Sequence, residues 1–127
     1  MKIYIDNVLD KTVFFSTEFG KGKGIWKTDS VQNKREYTVE FDIDKLYNYN
    51  YDDFILSSMG DYQIDIYNGK VCLTLLLLEY DEFGCATFRF GDSIIEIETS
   101  FDERFGKLVN SYVTVYVEKL DIYDENV

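Results

Sequence analysis

Asn68-Gly69 lies between two alternating runs, Tyr62-Gln63-Ile64-Asp65-Ile66-Tyr67 and Lys70-Val71-Cys72-Leu73-Thr74-Leu75. A two-residue type I′ turn needs positive φ at both central positions. Asn and Gly supply it at little cost, so this stretch specifies a β-hairpin and commits the chain to antiparallel pairing. From residue 61 to 120 the same pattern continues as a meander, with strands near 61–67, 70–80, 85–90, 93–100 and 107–119. Phe-Gly recurs at Phe19-Gly20, Phe83-Gly84, Phe90-Gly91 and Phe105-Gly106, and an acidic group precedes it at three of those places. Asp and Glu suit the early positions of a type I turn, and Gly closes it in the left-handed region, so these read as hairpin tips.

Before the hairpin, Tyr37-Thr38-Val39-Glu40-Phe41-Asp42-Ile43-Asp44 alternates cleanly, with Val39, Phe41 and Ile43 on one face and the polar residues on the other. Residues 2–5 and 12–18 read as two further strands. Proline is absent and no Gly/Ser linker divides the chain. The expectation is one domain over residues 1–127, mainly β, with an antiparallel meander of about eight strands forming a sandwich or open barrel. One short helix is expected near 45–57, where Tyr47, Tyr51, Phe54 and Ile55 recur at helical spacing behind a capping Asp44. With that helix the alternative class is α+β. Gly20-Lys21-Gly22-Lys23-Gly24 reads as a mobile hairpin loop, because no Ser/Thr follows at the position a phosphate-binding loop requires.

Charge bounds the function. The chain carries 13 Lys+Arg and 24 Asp+Glu, a net of −11, together with 11 Tyr, 10 Phe and no histidine. Positive charge is concentrated early, with Lys21, Lys23, Lys27, Lys34 and Arg35 close together, and negative charge dominates from residue 36 onward. Chains this rich in aromatic and β-branched residues fold despite such imbalance. Without histidine, Ser-His-Asp and Cys-His nucleophiles and the usual histidine-bearing metal sites are excluded. Asp42-x-Asp44 lacks the glycine and distal glutamate of an EF-hand loop. The pairs Asp42/Asp44 and Glu96/Glu98 each share a strand face, a spacing that more often marks a solvated amphipathic strand than a glycosidase dyad. Cys72 and Cys85 are too few for zinc and read as two buried reduced thiols, with a disulfide between neighbouring strands as the alternative. No catalytic residue, cofactor or metal ligand is expected, and the chain reads as a non-enzyme. The charged first residues and the shortness of the longest apolar run, Leu75–Leu78, point to a cytoplasmic protein that does not enter a membrane.

A binding role remains. Glu40, Asp42 and Asp44 project from one strand face, Asp52 and Asp53 follow, and Tyr47, Tyr49 and Tyr51 lie between the two groups. Tyrosine offers large contact area at small entropic cost, and flanking carboxylates pair with Lys and Arg of a basic partner and steer its approach. These eight residues form the expected partner-binding surface. Glu96 and Glu98, with Glu118, Asp121, Asp124 and Glu125, form a second candidate patch, and the last of these also read as a frayed acidic tail.

In size, negative charge, aromatic richness and lack of a catalytic motif, the chain resembles the small acidic immunity proteins that bacteria keep beside contact-dependent and other polymorphic toxins. The resemblance implies a protein that binds a basic toxin domain, often a nuclease, and occludes its active or substrate-binding surface. Two alternatives use the same residues differently: a DNA-mimic or regulatory protein of a phage or mobile element, and a structural or assembly subunit. Direct nucleic-acid binding is not expected, because the basic stretch is outweighed by the repulsive remainder.

Overall fold

The computed structural model describes residues 1–28, 34–49, 54–57 and 60–125. Twelve strands and one short helix follow in chain order: β1 (Lys2–Leu9), β2 (Thr12–Thr17), β3 (Gly20–Trp26), β4 (Glu36–Asp42), β5 (Leu46–Tyr47), β6 (Phe54–Leu56), β7 (Gln63–Tyr67), β8 (Lys70–Tyr80), β9 (Cys85–Phe90), β10 (Ser93–Thr99), α1 (Glu103–Gly106), β11 (Tyr112–Val117) and β12 (Asp121–Asp124). The architecture is mainly β, as the alternation requires, and combines a barrel with outer strands.

The barrel closes through the end of the chain. β1 pairs antiparallel with β2 and with β4, and β2 pairs antiparallel with β3. β12 then pairs antiparallel with β4 and parallel with β3, with Asp121 opposite both Asp42 and Ile25. The resulting ring of five strands has no free edge between β3 and β4. Its interior holds Ile3, Val13, Phe15, Tyr37, Val39, Phe41 and Ile122, all buried. Phe15 stacks on Phe41 with centroids 5.6 Å apart, and Trp26 meets Tyr37 edge-on at 4.9 Å. The segment expected to be an acidic tail is therefore a structural strand.

β3 is the second departure from the expected loops. The glycines of Gly20-Lys21-Gly22-Lys23-Gly24 are not there for mobility: Gly22 and Gly24 face inward and are buried. A Cβ on Gly22 would lie 2.6 Å from Ile64 Cδ1 and 2.8 Å from Phe15 Cζ. On Gly24 it would lie 2.6 Å from the Leu120 carbonyl oxygen. The strand is glycine-rich because other segments of the same chain pack closely on it, and its lysines alternate outward.

Beyond the barrel, β7 touches β3 through one parallel bridge, Gly20 opposite Ile64. The hairpin β7–β8 turns at Asn68 and Gly69, both at positive φ, as the sequence requires. The long β8 also pairs with β9 and, along its other edge, with β11. β10 pairs with β9, β5 adds parallel to the end of β10, and β6 borders β11. The inward rows of these strands, including Leu73, Leu75, Leu77, Phe88, Ile95, Ile97, Val113 and Val115, join the barrel interior in one apolar core.

The helix expected near 45–57 is replaced, among the described residues, by the two short strands β5 and β6. Residues 50–53 and 58–59 lie outside the described residues. The helical spacing there arises because Tyr47 and Phe54 enter the same core from separate strands, with ring centroids 6.1 Å apart. The helix found among the described residues is α1, capped by the Asp102 carboxylate, which accepts from Arg104 N at 2.9 Å. It is followed by a turn over residues 107–111, so the strand expected over 107–119 is shortened to β11. Cys72 on β8 and Cys85 on β9 are both free and half-buried, so no disulfide links them. No helix among the described residues is long and apolar enough to cross a membrane.

Candidate functional site: an acidic cleft between two strands

Alternation places the acids. Phe41 and Ile43 point into the core, which turns Asp42 and Asp44 outward. Ile95, Ile97 and Thr99 are buried on β10, which turns Glu96 and Glu98 outward. Because β5 returns the chain from β4 onto the end of β10, with Leu46 opposite Glu98, the two outward pairs meet. Asp42, Asp44, Glu96 and Glu98 line one cleft of about 520 Å³, together with Ile43, Lys45, Leu46, Phe83, Cys85 and Thr99. Lys45 is the single cation of this lining, and its Nζ sits 4.8 Å over the Tyr47 ring.

An aromatic ring stands at the rim. Phe83 is 82% exposed and Leu46 is 56% exposed. Phe83 occupies the β8–β9 turn, which is cross-braced. The Asp81 carboxylate accepts from Phe83 N at 2.9 Å and Cys85 N at 2.8 Å. Gly84 takes φ 87° where a side chain would strike the Thr99 carbonyl, and its own carbonyl accepts from Thr99 N at 2.8 Å and Thr99 Oγ1 at 2.7 Å. Tyr80 Oη lies 2.6 Å from Thr99 Oγ1 and accepts from Asp102 N at 3.1 Å. The backbone of the rim is thus held by hydrogen bonds on both sides of Phe83, which reduces the ordering cost of a contact made there.

Burial raises the Cys85 thiol above its ordinary range, and Glu96, Asp81 and Glu98 raise it further. The thiol is consequently held in its unreactive protonated form near neutral pH. No group of three or more His, Cys, Asp or Glu among the described residues is arranged to hold a metal ion. Four formal negative charges beside exposed apolar surface are suited chemically to receiving a Lys or Arg side chain, with the long aliphatic stem against Phe83 and Leu46.

The sequence-derived surface is distributed unevenly. Asp42 and Asp44 are exposed in the cleft. Glu40 is exposed on the same strand, opposite Tyr123 of β12, outside the cleft lining. Tyr47 is 1% exposed, and its hydroxyl donates to the Tyr116 carbonyl at 2.8 Å, so its ring serves the core and not a contact surface. Tyr49 is half-buried, edge-on to Phe105 at 5.1 Å with the Arg104 guanidinium 4.2 Å over its ring. Tyr51, Asp52 and Asp53 lie outside the described residues. The second acidic patch divides: Glu96 and Glu98 join the cleft, while Glu118 pairs with Lys70 at 3.5 Å. Asp121 is buried, with Lys119 Nζ 3.8 Å from its Oδ1 and no hydrogen bond to that oxygen among the described residues. Phe83 is the residue that sequence reasoning passed over. Its signal was a large apolar side chain in a turn that needed none.

Comparison with protein-family models, with curated proteins and with solved structures returned no match. The functional reading therefore stands on the cleft itself.

Proposed function

We propose that this chain is an acidic protein-binding module that captures a basic partner in the cleft between β4 and β10. Following the resemblance to immunity proteins, the partner is a basic toxin domain, such as a nuclease, whose active or substrate-binding surface is occluded. The observation that supports this reading most is the convergence of two acidic pairs from separate strands beside a solvent-facing Phe83. A nuclease presents a basic cleft to hold phosphates, and carboxylates on a folded scaffold can compete for it. Complementary charge accelerates capture, and protection must outrun damage.

The experiment is a pull-down from the native host with the full chain as bait, followed by kinetics on the purified partner. Recovery of a basic toxin domain, with its activity lost on stoichiometric addition of the chain, supports the reading. Recovery of a nucleic-acid-processing enzyme unrelated to a toxin would favour the DNA-mimic alternative instead. A captured partner of acidic or neutral surface would remove the reading altogether.

A further inference from the structure

We infer that Asp121 and Asp42 form a socket for one arginine side chain of the basic partner, which displaces Lys119 from it, a role that rests on the partner capture proposed above. The register builds the socket. Asp121 on β12 lies directly opposite Asp42 on β4 and Ile25 on β3. Ile122, the next residue, is fully buried in the barrel, so Asp121 points to the outer face together with Asp42. Opposed side chains on one face start from Cβ atoms about 4.5–5.5 Å apart, which makes the two carboxylates neighbours. Asp42 already lines the cleft, and Asp121 extends that acidic wall by one strand.

The two acids stand in unlike surroundings. Asp42 is exposed, whereas Asp121 is only 4% exposed between β3 and β4. Like charges opposed across a ladder repel, and a buried carboxylate oxygen demands a donor. Asp121 Oδ1 is buried, and no hydrogen bond reaches it among the described residues. Lys119 Nζ stands 3.8 Å from it, beyond hydrogen-bond reach, on a side chain that is itself 60% exposed. Lys119 therefore offsets the charge without satisfying the acceptor. The free chain keeps an acceptor in want of a donor beside a second carboxylate.

That demand selects the occupant. Among the described residues no third acid, cysteine or histidine joins the pair as a metal site would require. A guanidinium is planar and carries its donors in a fixed fork, so one head can donate to Asp121 and to Asp42 together. An ammonium is a strongly hydrated point charge, and Lys119 shows that one can stand beside Asp121 without bonding to it. Lys119 is the movable part. Exposed and holding Asp121 only at a distance, it swings toward solvent at small cost when a better donor arrives.

The test uses a probe with a single cation. Acetyl-Gly-Arg-Gly-amide, with acetyl-Gly-Lys-Gly-amide for comparison, is titrated into the full chain and followed by the amide resonances of Asp42, Asp121 and Ile122. The arginine peptide should shift them saturably and bind at least about fivefold more tightly than the lysine peptide. Asp121→Asn should weaken it at least about fivefold, with thermal unfolding no earlier than in the parent, because a buried charge lacking a donor is removed. Lys119→Met should tighten it at least about threefold, whereas Lys21→Met, an equal change of net charge at the far end of β3, should alter it less than about twofold. Should Asp121→Asn unfold, Lys119→Met, made at an exposed side chain, decides alone. A parent that binds neither peptide, or both equally, overturns the socket, as does an arginine affinity unmoved by Asp121→Asn or by Lys119→Met. A native partner that binds D121N as it binds the parent, yet loses D42N/D44N/E96Q/E98Q, would remove Asp121 from the site and leave partner capture standing.

Discussion

Asp42 at the end of β4 and Glu96 on β10, far apart in sequence, line the same cleft because β5 folds the chain back onto β10. Each acid belongs to a strand whose alternate residues are buried, so neither can turn inward without exposing an isoleucine or phenylalanine. The cleft is therefore a product of core packing: the same register that builds the interior places four carboxylates on its rim.

Phe83 is the residue most open to test by substitution. At 82% exposure it adds little to folding, so Phe83→Ala should leave the free energy of unfolding in urea within about 0.5 kcal/mol of the parent. Affinity for the captured partner should fall by about 2 kcal/mol or more, as for a preorganised aromatic anchor. Chemical denaturation and titration calorimetry read the two effects separately.

Gly22 and Gly24 should behave oppositely. Gly22→Ala places a methyl group within 3 Å of Ile64 and Phe15, and Gly24→Ala places one against the Leu120 carbonyl. Each substitution should cost about 1–3 kcal/mol of stability, measured by denaturant unfolding. Partner contacts, which lie elsewhere, should be unchanged at temperatures where the variant stays folded.

The same glycines show where the sequence was misleading. The Asn68-Gly69 hairpin, the meander after it and the alternation of residues 37–44 were legible because turn chemistry and period-2 burial are local. β3 was hidden because glycine announces both a flexible loop and a strand on which another segment packs closely, and only the position of Ile64 and Leu120 separates the two. β12 was hidden because Asp121, Asp124 and Glu125 give a tail-like composition, although Ile122 fills the barrel. Asp42 and Asp44 were recognised as outward acids. Their meeting with Glu96 and Glu98 depends on a parallel bridge between Leu46 and Glu98 that no short-range pattern encodes. Tyr47 was misjudged because a tyrosine beside acids looks the same whether its hydroxyl meets a partner or the Tyr116 carbonyl.

Tyr47→Phe isolates that last interaction. Removing the hydroxyl leaves the Tyr116 carbonyl without its donor and should cost about 1 kcal/mol. Association with a partner should not change, since the ring is buried. Thermal unfolding and binding kinetics on the same preparation check both halves.

Thiol chemistry reports on the cleft directly. The Cys85 and Cys72 thiols are both raised, chiefly by burial, so alkylation near neutral pH should be slower than for a free cysteine and should accelerate only at higher pH than a free cysteine requires. The sign for stability follows. A folded-state thiol pKa above the unfolded value means that the folded chain retains protons the unfolded chain has lost, so stability falls as pH rises past the unfolded thiol's pKa. A bound partner should protect Cys85, which lines the cleft, from iodoacetamide at alkaline pH. Mass spectrometry of the labelled chain resolves the two sites.

The most direct measurement of the central claim is the association rate of the captured partner with the parent chain and with D42N/D44N/E96Q/E98Q, followed by stopped flow at low and moderate salt. The account predicts a fall of at least about tenfold at low salt, shrinking as salt is added, with the unfolding transition of the variant nearly unmoved. An association rate that survives all four substitutions at low salt would contradict it.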